Sequence, residues 1–186
     1  HLSIRRQRQM CIRDRINTLV VDVGTNAEIV VGNSQRMLAA SSPTGPAFEG
    51  AQISSGQRAA PGAIERIRID KDTLEPRFRV IGVEEWSDED GFDAAVQSTG
   101  ITGICGSGII EVLAEMYING ILSTDGVIDG DVVARSPRIE QDGRTFSYRV
   151  SDNVVVTQND VRAIQLAKAA LHAGFRLLMD KMDLKR

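Results

Sequence analysis

The chain has 186 residues, 42% hydrophobic and 25% charged, the composition of an ordinary soluble globular domain or of part of a larger one. Aromatics make up only 4%, which argues against a stacking surface for single-stranded nucleic acid, and no apolar run reaches the roughly 20 residues of a membrane helix. Charge is uneven: residues 1–15 hold five arginines and one acid, and taking that +4 from the overall −3 leaves a body of −7, unsuited to binding a phosphate backbone. Two cysteines (Cys11, Cys105) and two histidines (His1, His172) fit no familiar metal spacing and no disulfide framework, so a cytoplasmic setting is expected. The basic leader lacks the apolar segment of a secretion signal and is set apart from the fold, with residues 16–186 expected to form the domain.

Ile16 to Val23 is β-branched and apolar and predicts a buried strand ending at Gly24. Ile29–Val31 starts a second strand, closed by Gly32-Asn33-Ser34, and Met37–Ser41 supplies a third. Together they predict a three-stranded antiparallel meander cornered at Gly24-Thr25-Asn26, with Asn26 in the left-handed conformation. Ala47–Ala51 predicts a short helical segment. Residues 63–83 predict a hairpin of two alternating strands, Ala63–Asp70 and Phe78–Val83, turning at Lys71-Asp72. Glu84–Asp93 reads as an acidic surface loop pinned by Trp86.

A glycine-rich run, Gly100 to Gly108, leads into a helix with Ile109, Val112, Leu113, Met116 and Tyr117 on its apolar face and Asn119-Gly120 as its stop. Arg138–Val150 is polar and predicts a surface hairpin turning at Asp142-Gly143. Thr157 to Asp160 has capping-box spacing and opens the clearest helix, whose stripe of Val161, Ile164, Leu171, Phe175, Leu178 and Met182 predicts core.

Two stretches are candidates for chemistry. At Asp22-Val23-Gly24-Thr25-Asn26, a carboxylate at a strand end precedes a glycine and a hydroxyl. The carboxylate suits a cation or its waters, and the glycine and hydroxyl suit a phosphate. The same residues also suit a plain hairpin corner with a capping carboxylate. The Gly106-Ser107-Gly108 helix start offers orphan N–H groups to an anion. Its glycines equally permit close helix–strand packing, and it matches neither the P-loop nor the dinucleotide fingerprint. Glu49 is a candidate acid/base or a helix-start carboxylate. Cys105 reads as a packed apolar residue and His172 as structural.

Five stretches occur in one order: Asp22 to Asn26, Gly45 to Ala51, Arg58 to Ile64, Gly103 to Gly108, and the helix around Gln165-Leu166-Ala167-Lys168-Ala169. With Ala27 where glycine is usual, this order resembles the reductive activators of corrinoid proteins. These are ferredoxin-fused ATPases of the acetate and sugar kinase, heat-shock chaperone and actin superfamily. The resemblance implies an α/β fold, a ribonuclease-H-like, actin/sugar-kinase-type ATPase subdomain opening with a three-stranded antiparallel meander.

It further implies an incomplete chain, in which Asp22–Asn26 is the second phosphate loop and the first phosphate loop, the adenosine loop and an N-terminal iron–sulfur domain lie elsewhere in the parent. Under this resemblance ATP and Mg2+ are the cofactors, and Asp22 orients Mg2+ through water. Gly24, Thr25 and Asn26, with Gly106, Ser107 and Gly108, face the nucleotide, and Glu49 positions the attacking water. The implied partner is a corrinoid protein or another redox protein, with a homodimer possible and neither nucleic acid nor membrane involved. The implied function is ATP-driven, uphill electron transfer to a cobalt(II) corrinoid; the alternative is a nucleotide-switched, actin-like assembly module without a redox role.

Overall fold

The computed structural model describes residues 17–184, so the basic leader, Ile16 and the terminal Lys185-Arg186 lie outside the described residues. The described chain is mixed α/β, with three separate three-stranded sheets. It divides into two compact units. One holds the described residues up to Gly45 and those from Ala167 onward, and the other spans Pro46–Leu166.

The first unit is the expected meander. Strands β1 (Thr18–Val23), β2 (Ala27–Gly32) and β3 (Met37–Ser42) pair antiparallel, with Asp22 opposite Glu28 and Glu28 opposite Ser41. Alternation sends Ala27, Ile29 and Val31 to one face, where Leu178, Leu171, Phe175 and Met182 cover them. The long helix α3 (Gln158–Lys181) approaches closely because Gly174 is bare: a Cβ there would stand 2.6 Å from Ile29 Cδ1. Ser42 Oγ donates to the Ala170 carbonyl at 2.6 Å and fixes the helix along β3.

β1 departs from expectation. Its continuous apolar run predicts a buried strand, yet Leu19 is 49% and Val20 57% exposed, because β1 is the edge strand of this sheet. The apolar run identifies the strand, whereas its burial depends on what pairs beside it.

The second unit is built on β4 (Ala63–Ile69), which pairs antiparallel with β5 (Pro76–Val80) and, through Ala63 and Ile64, parallel with the two-residue β6 (Gly103–Ile104). Because β6 is so short, the N–H groups of Ile67 and Ile69 are taken by carboxylates of helix α2 (Gly106–Ile118): Glu111 accepts from Ile67 at 2.8 Å and Glu115 from Ile69 at 3.0 Å. Arg66 and Arg68 complete the pairing to Glu111 at 2.8 and 3.0 Å. Burial pushes the Glu111 carboxyl up, but the Ile67 amide and the Arg68 and Arg66 guanidiniums more than offset it and hold the group below the usual range.

Ile64, Ile67, Ile109, Val112 and Met116 are each fully buried between strand and helix, which contributes roughly 1.5–3 kcal/mol per side chain. Tyr117, expected on this apolar face, is instead 53% exposed, since its helical phase carries it to the outer side.

Other boundaries also shift. The β4–β5 turn runs from Asp70 to Glu75 rather than closing at Lys71-Asp72. Asp70 Oδ1 accepts from the Thr73 and Asp72 amides, and these bonds hold its carboxyl below the ordinary range. Leu74, at φ 60, is buried beneath that turn. The segment at Ala47 is a 3-10 helix, Pro46–Glu49. The acidic loop gives way to a five-residue helix α1 (Phe92–Val96), and Arg77 lies over the Trp86 ring at 4.8 Å, the pinning contact expected of that tryptophan.

The hairpin expected at 138–150 forms and turns after Asp142, but its expected place at the surface is a correction. Strands β7 (Ile139–Asp142), β8 (Thr145–Ser151) and β9 (Val154–Thr157) form a sheet with Ile139, Tyr148, Val150, Val154 and Val156 buried. The polar residues that suggested a surface alternate with these and occupy the other face. Tyr148 donates its hydroxyl to the Leu74 carbonyl at 2.9 Å, and burial pushes its phenol well above the ordinary value. The capping box forms as read: Thr157 N donates to Asp160 Oδ2 at 2.8 Å, and Asp160 N donates to Thr157 Oγ1 at 3.2 Å.

Candidate functional site

The Asp22–Asn26 turn closes a hairpin whose strands pair up to Val23 and Ala27, leaving Gly24, Thr25 and Asn26 as the loop. Neither Gly24 nor Asn26 has positive φ, so the left-handed Asn26 expected from sequence is not formed. The loop is shaped from outside instead. Thr44, 5% exposed, donates its hydroxyl to the Gly24 carbonyl at 2.8 Å and the Thr25 carbonyl at 3.1 Å, and Gly45 N donates to Thr25 O at 2.9 Å. Gly24 N donates to Asn26 O at 3.1 Å, so that amide is committed to the turn. The loop's carbonyls are thus drawn inward, a polarity that suits an anion at the tip.

Asp22, Thr25 and Asn26 are exposed at this tip. Asp22 faces Glu28 across the strand pair, a separation of about 5 Å between Cβ atoms at directly opposed positions. Two carboxylates so placed repel each other, and a hydrated divalent cation relieves that repulsion while using both as oxygen ligands. Ser41 Oγ donates to Glu28 Oε1 at 3.2 Å and orients it. The donor set fits the Mg2+ expected at Asp22, and adds Glu28 to it. Glu28 and Thr44 were missed from sequence. Counting register outward from Thr25 finds Glu28 opposite Asp22, whereas nothing local marks Thr44, which is 19 residues away from Thr25.

In the other unit, the structure brings Glu49 and Gly106 together. Glu49 ends the 3-10 helix and is exposed, followed by Gly50 at φ 82, where any Cβ would press on the Gln57 backbone. A Cβ at Gly106 would run into the Phe48 carbonyl, and one at Gly108 into the Ile64 carbonyl. Both glycines are therefore demanded by packing of α2 on the 3-10 helix and on β4. Ser107 is exposed in the first turn of α2. Cys105, 1% exposed, donates its thiol to Ile64 O at 3.3 Å and is a packed residue as read. His172 is exposed and lies edge-on to Phe175, with ring centroids 4.7 Å apart. Among the described residues, no three His, Cys, Asp or Glu side chains are grouped to hold a metal by themselves, and no helix is long and apolar enough to cross a membrane.

Comparison with known proteins gives this geometry a context. The chain is 32% identical to the corrinoid activation enzyme RamQ of Eubacterium limosum, over 93% of its own length and 28% of that protein's. It is 28% identical to the [Co(II) methylated amine-specific corrinoid protein] reductase of Methanosarcina barkeri, over 90% of this chain and 29% of the relative. Among solved structures it resembles a reductive activator for corrinoid, iron-sulfur protein with a TM-score of 0.74 and 32% identity, covering 92% of this chain and 26% of that one. The chain thus spans under a third of the length of these relatives. The family described as "C-terminal domain of RACo the ASKHA domain" matches residues 16–186, and with its opening meander of three antiparallel strands the chain belongs to that family.

Proposed function

We propose that the protein containing this chain is an ATP-dependent reductive activator of a corrinoid protein, and that the Asp22–Asn26 turn is where this domain meets the nucleotide phosphates. The observation that carries the reading is the inward capture of the turn's carbonyls by Thr44 and Gly45, beside the opposed carboxylates Asp22 and Glu28. Family membership and the names of the relatives support the activating role.

In this reading Asp22 and Glu28 would hold Mg2+ through water, and the ion would supply neutralisation of phosphate charge. The Thr25 hydroxyl and the Thr25 and Asn26 amides hold phosphate oxygens, since Gly24 N is committed within the turn. Glu49 accepts a proton from the attacking water. Gly106 and Gly108 let the start of α2 settle on the 3-10 helix and β4, and the exposed Ser107 there offers its hydroxyl to the nucleotide. Hydrolysis of ATP to ADP and phosphate would be coupled to one-electron reduction of cobalt(II) to cobalt(I) on the partner, the electron coming from a reductant outside the residues of this chain. The proposal sets the protein in the cytoplasm, in keeping with the free, buried thiol of Cys105.

The test is Asp22→Asn in the intact protein. ATP-dependent reduction of the cobalt(II) corrinoid is expected to fall by about 100-fold or more while the far-ultraviolet spectrum is unchanged. Wild-type turnover in this variant contradicts the assignment. Retained nucleotide binding by the wild type with no ATP-dependent cobalt reduction favours the nucleotide-switched module instead.

A further inference from the structure

The chain leaves β3 through Ser42-Pro43-Thr44, and each of these three residues is restrained by a different means. Ser42, 5% exposed, donates its hydroxyl to the Ala170 carbonyl of helix α3 at 2.6 Å. Pro43 has its φ fixed by its ring, and around it Thr44 N donates to Ser42 O at 2.9 Å, a tight three-residue turn. Thr44, equally buried, then sets its hydroxyl on the Gly24 and Thr25 carbonyls. A stiff strut of three residues thus joins a helix carbonyl to the Asp22–Asn26 turn.

The helix is shaped to receive this strut. A mid-helix carbonyl accepts from the amide four residues on, and Ala170 O offers its second lone pair to Ser42. That amide belongs to Gly174, whose bare Cα admits the serine. A Cβ there would stand 3.1 Å from Ser42 Cβ and 3.3 Å from its Oγ. Within the sheet Ser42 pairs with Ala27, the first residue after the turn, so strand register and strut converge on one loop. Ser41, on the opposite face of the strand, donates to Glu28, beside the proposed Mg2+ position.

We propose that, on the reading of Asp22–Asn26 as the phosphate loop, Ser42 is a positioning residue that braces Thr44 from helix α3 and couples phosphate binding to the seating of that helix. The turn's carbonyls stay withdrawn while Thr44 is held, and Thr44 is held from Ala170 through Ser42 and Pro43. Coupling of this kind is reciprocal, so phosphate at the turn also tightens the contact at Ala170 and Gly174.

The experiment titrates Mg-ATP calorimetrically into the intact protein. Ser42→Ala is expected to weaken binding by about fivefold or more, and Thr44→Val by at least as much. The double variant is expected to bind no worse than Thr44→Val alone, because Ser42 acts through Thr44. Additive losses, the mark of two independent structural defects, overturn the proposal, as does wild-type affinity in Ser42→Ala. Ser42→Cys keeps the gap at Gly174 filled while weakening the donor, and is expected to repeat the loss should the alanine variant fold poorly. Hydrogen exchange reads the opposite direction: Mg-ATP is expected to slow exchange of the Gly174 amide in the wild type and not in Ser42→Ala, and equal slowing in both contradicts the coupling. Asp22→Asn separates the two readings. Normal Mg-ATP binding in that variant removes the phosphate loop and the coupling with it, whereas weak binding there beside normal binding in Ser42→Ala defeats the coupling alone.

Discussion

Two glycine-bearing stretches of this molecule, Gly24 to Asn26 and Gly103 to Gly108, look alike as strings and differ in structure. At Gly24-Thr25-Asn26 the backbone has no positive φ, the loop is held by a threonine reaching in from the end of β3, and the exposed groups are a carboxylate, a hydroxyl and an amide. At Gly103 to Gly108 the glycines are consumed by packing: Gly103 against Ser55 and Gln57, Gly106 against Phe48, Gly108 against Ile64. A glycine is thus a poor guide to a binding loop on its own. What separates a site from a packing contact is which polar groups remain turned to solvent and which carbonyls are drawn away.

The sharpest way to break this comparison is to add a side chain in each turn. Gly106→Val is expected to destabilise the second unit by about 3 kcal/mol or more, because the Phe48 carbonyl is backbone and cannot step aside. Gly24→Ala is expected to cost under about 1 kcal/mol, its φ being ordinary. Urea unfolding of both variants measures the gap, and equal losses would erase the distinction.

Thr44→Val tests the opposite feature, a turn held from outside. It removes a buried donor to two carbonyls and is expected to cost about 1–3 kcal/mol. It should also increase amide hydrogen exchange in residues 24–26 more than elsewhere.

A smaller effect concerns Tyr148, whose buried phenol titrates above the ordinary tyrosine value of 10.0. Because the folded pKa is raised, the neutral hydroxyl's stabilisation is fully present below pH 10 and is lost as pH climbs beyond it. Tyr148→Phe is expected to lose about 1 kcal/mol at neutral pH, from the bond to Leu74 O, and to show a flatter fall in stability above that pH. Glu111, with its pKa held down, gives the opposite sign: its share of stability is present above the ordinary glutamate value of 4.5 and fades as acid protonates it.

Much of this was legible beforehand, for reasons that differ by element. The β1–β3 meander and the long helix α3 carry strong local signals: β-branched runs broken at Gly24 and Gly32, and a capping box followed by a regular stripe. The inner face of α2 was equally clear, and Tyr117 was misplaced because it stands four residues after the buried Leu113, at the margin of that face. The β7–β9 sheet was mistaken for surface because one buried face alternates with a charged one, and the alternation is broken by a bulge between Arg149 and Ser151. Asp22, Thr25 and Asn26 could be found as a candidate turn from residue type alone. Glu28 needed strand register, and Thr44 needed a tertiary contact that no local pattern encodes.

The central claim is that the Asp22 turn, more than the glycine-rich start of α2, holds the nucleotide phosphates. Isothermal titration of Mg-ATP into the intact protein and its Asp22→Asn and Ser107→Ala variants tests it most directly. The account predicts that Asp22→Asn weakens binding by about tenfold or more, a loss of about 1.4 kcal/mol, while Ser107→Ala weakens it by only a few-fold. Wild-type affinity in Asp22→Asn beside a large loss in Ser107→Ala would contradict it.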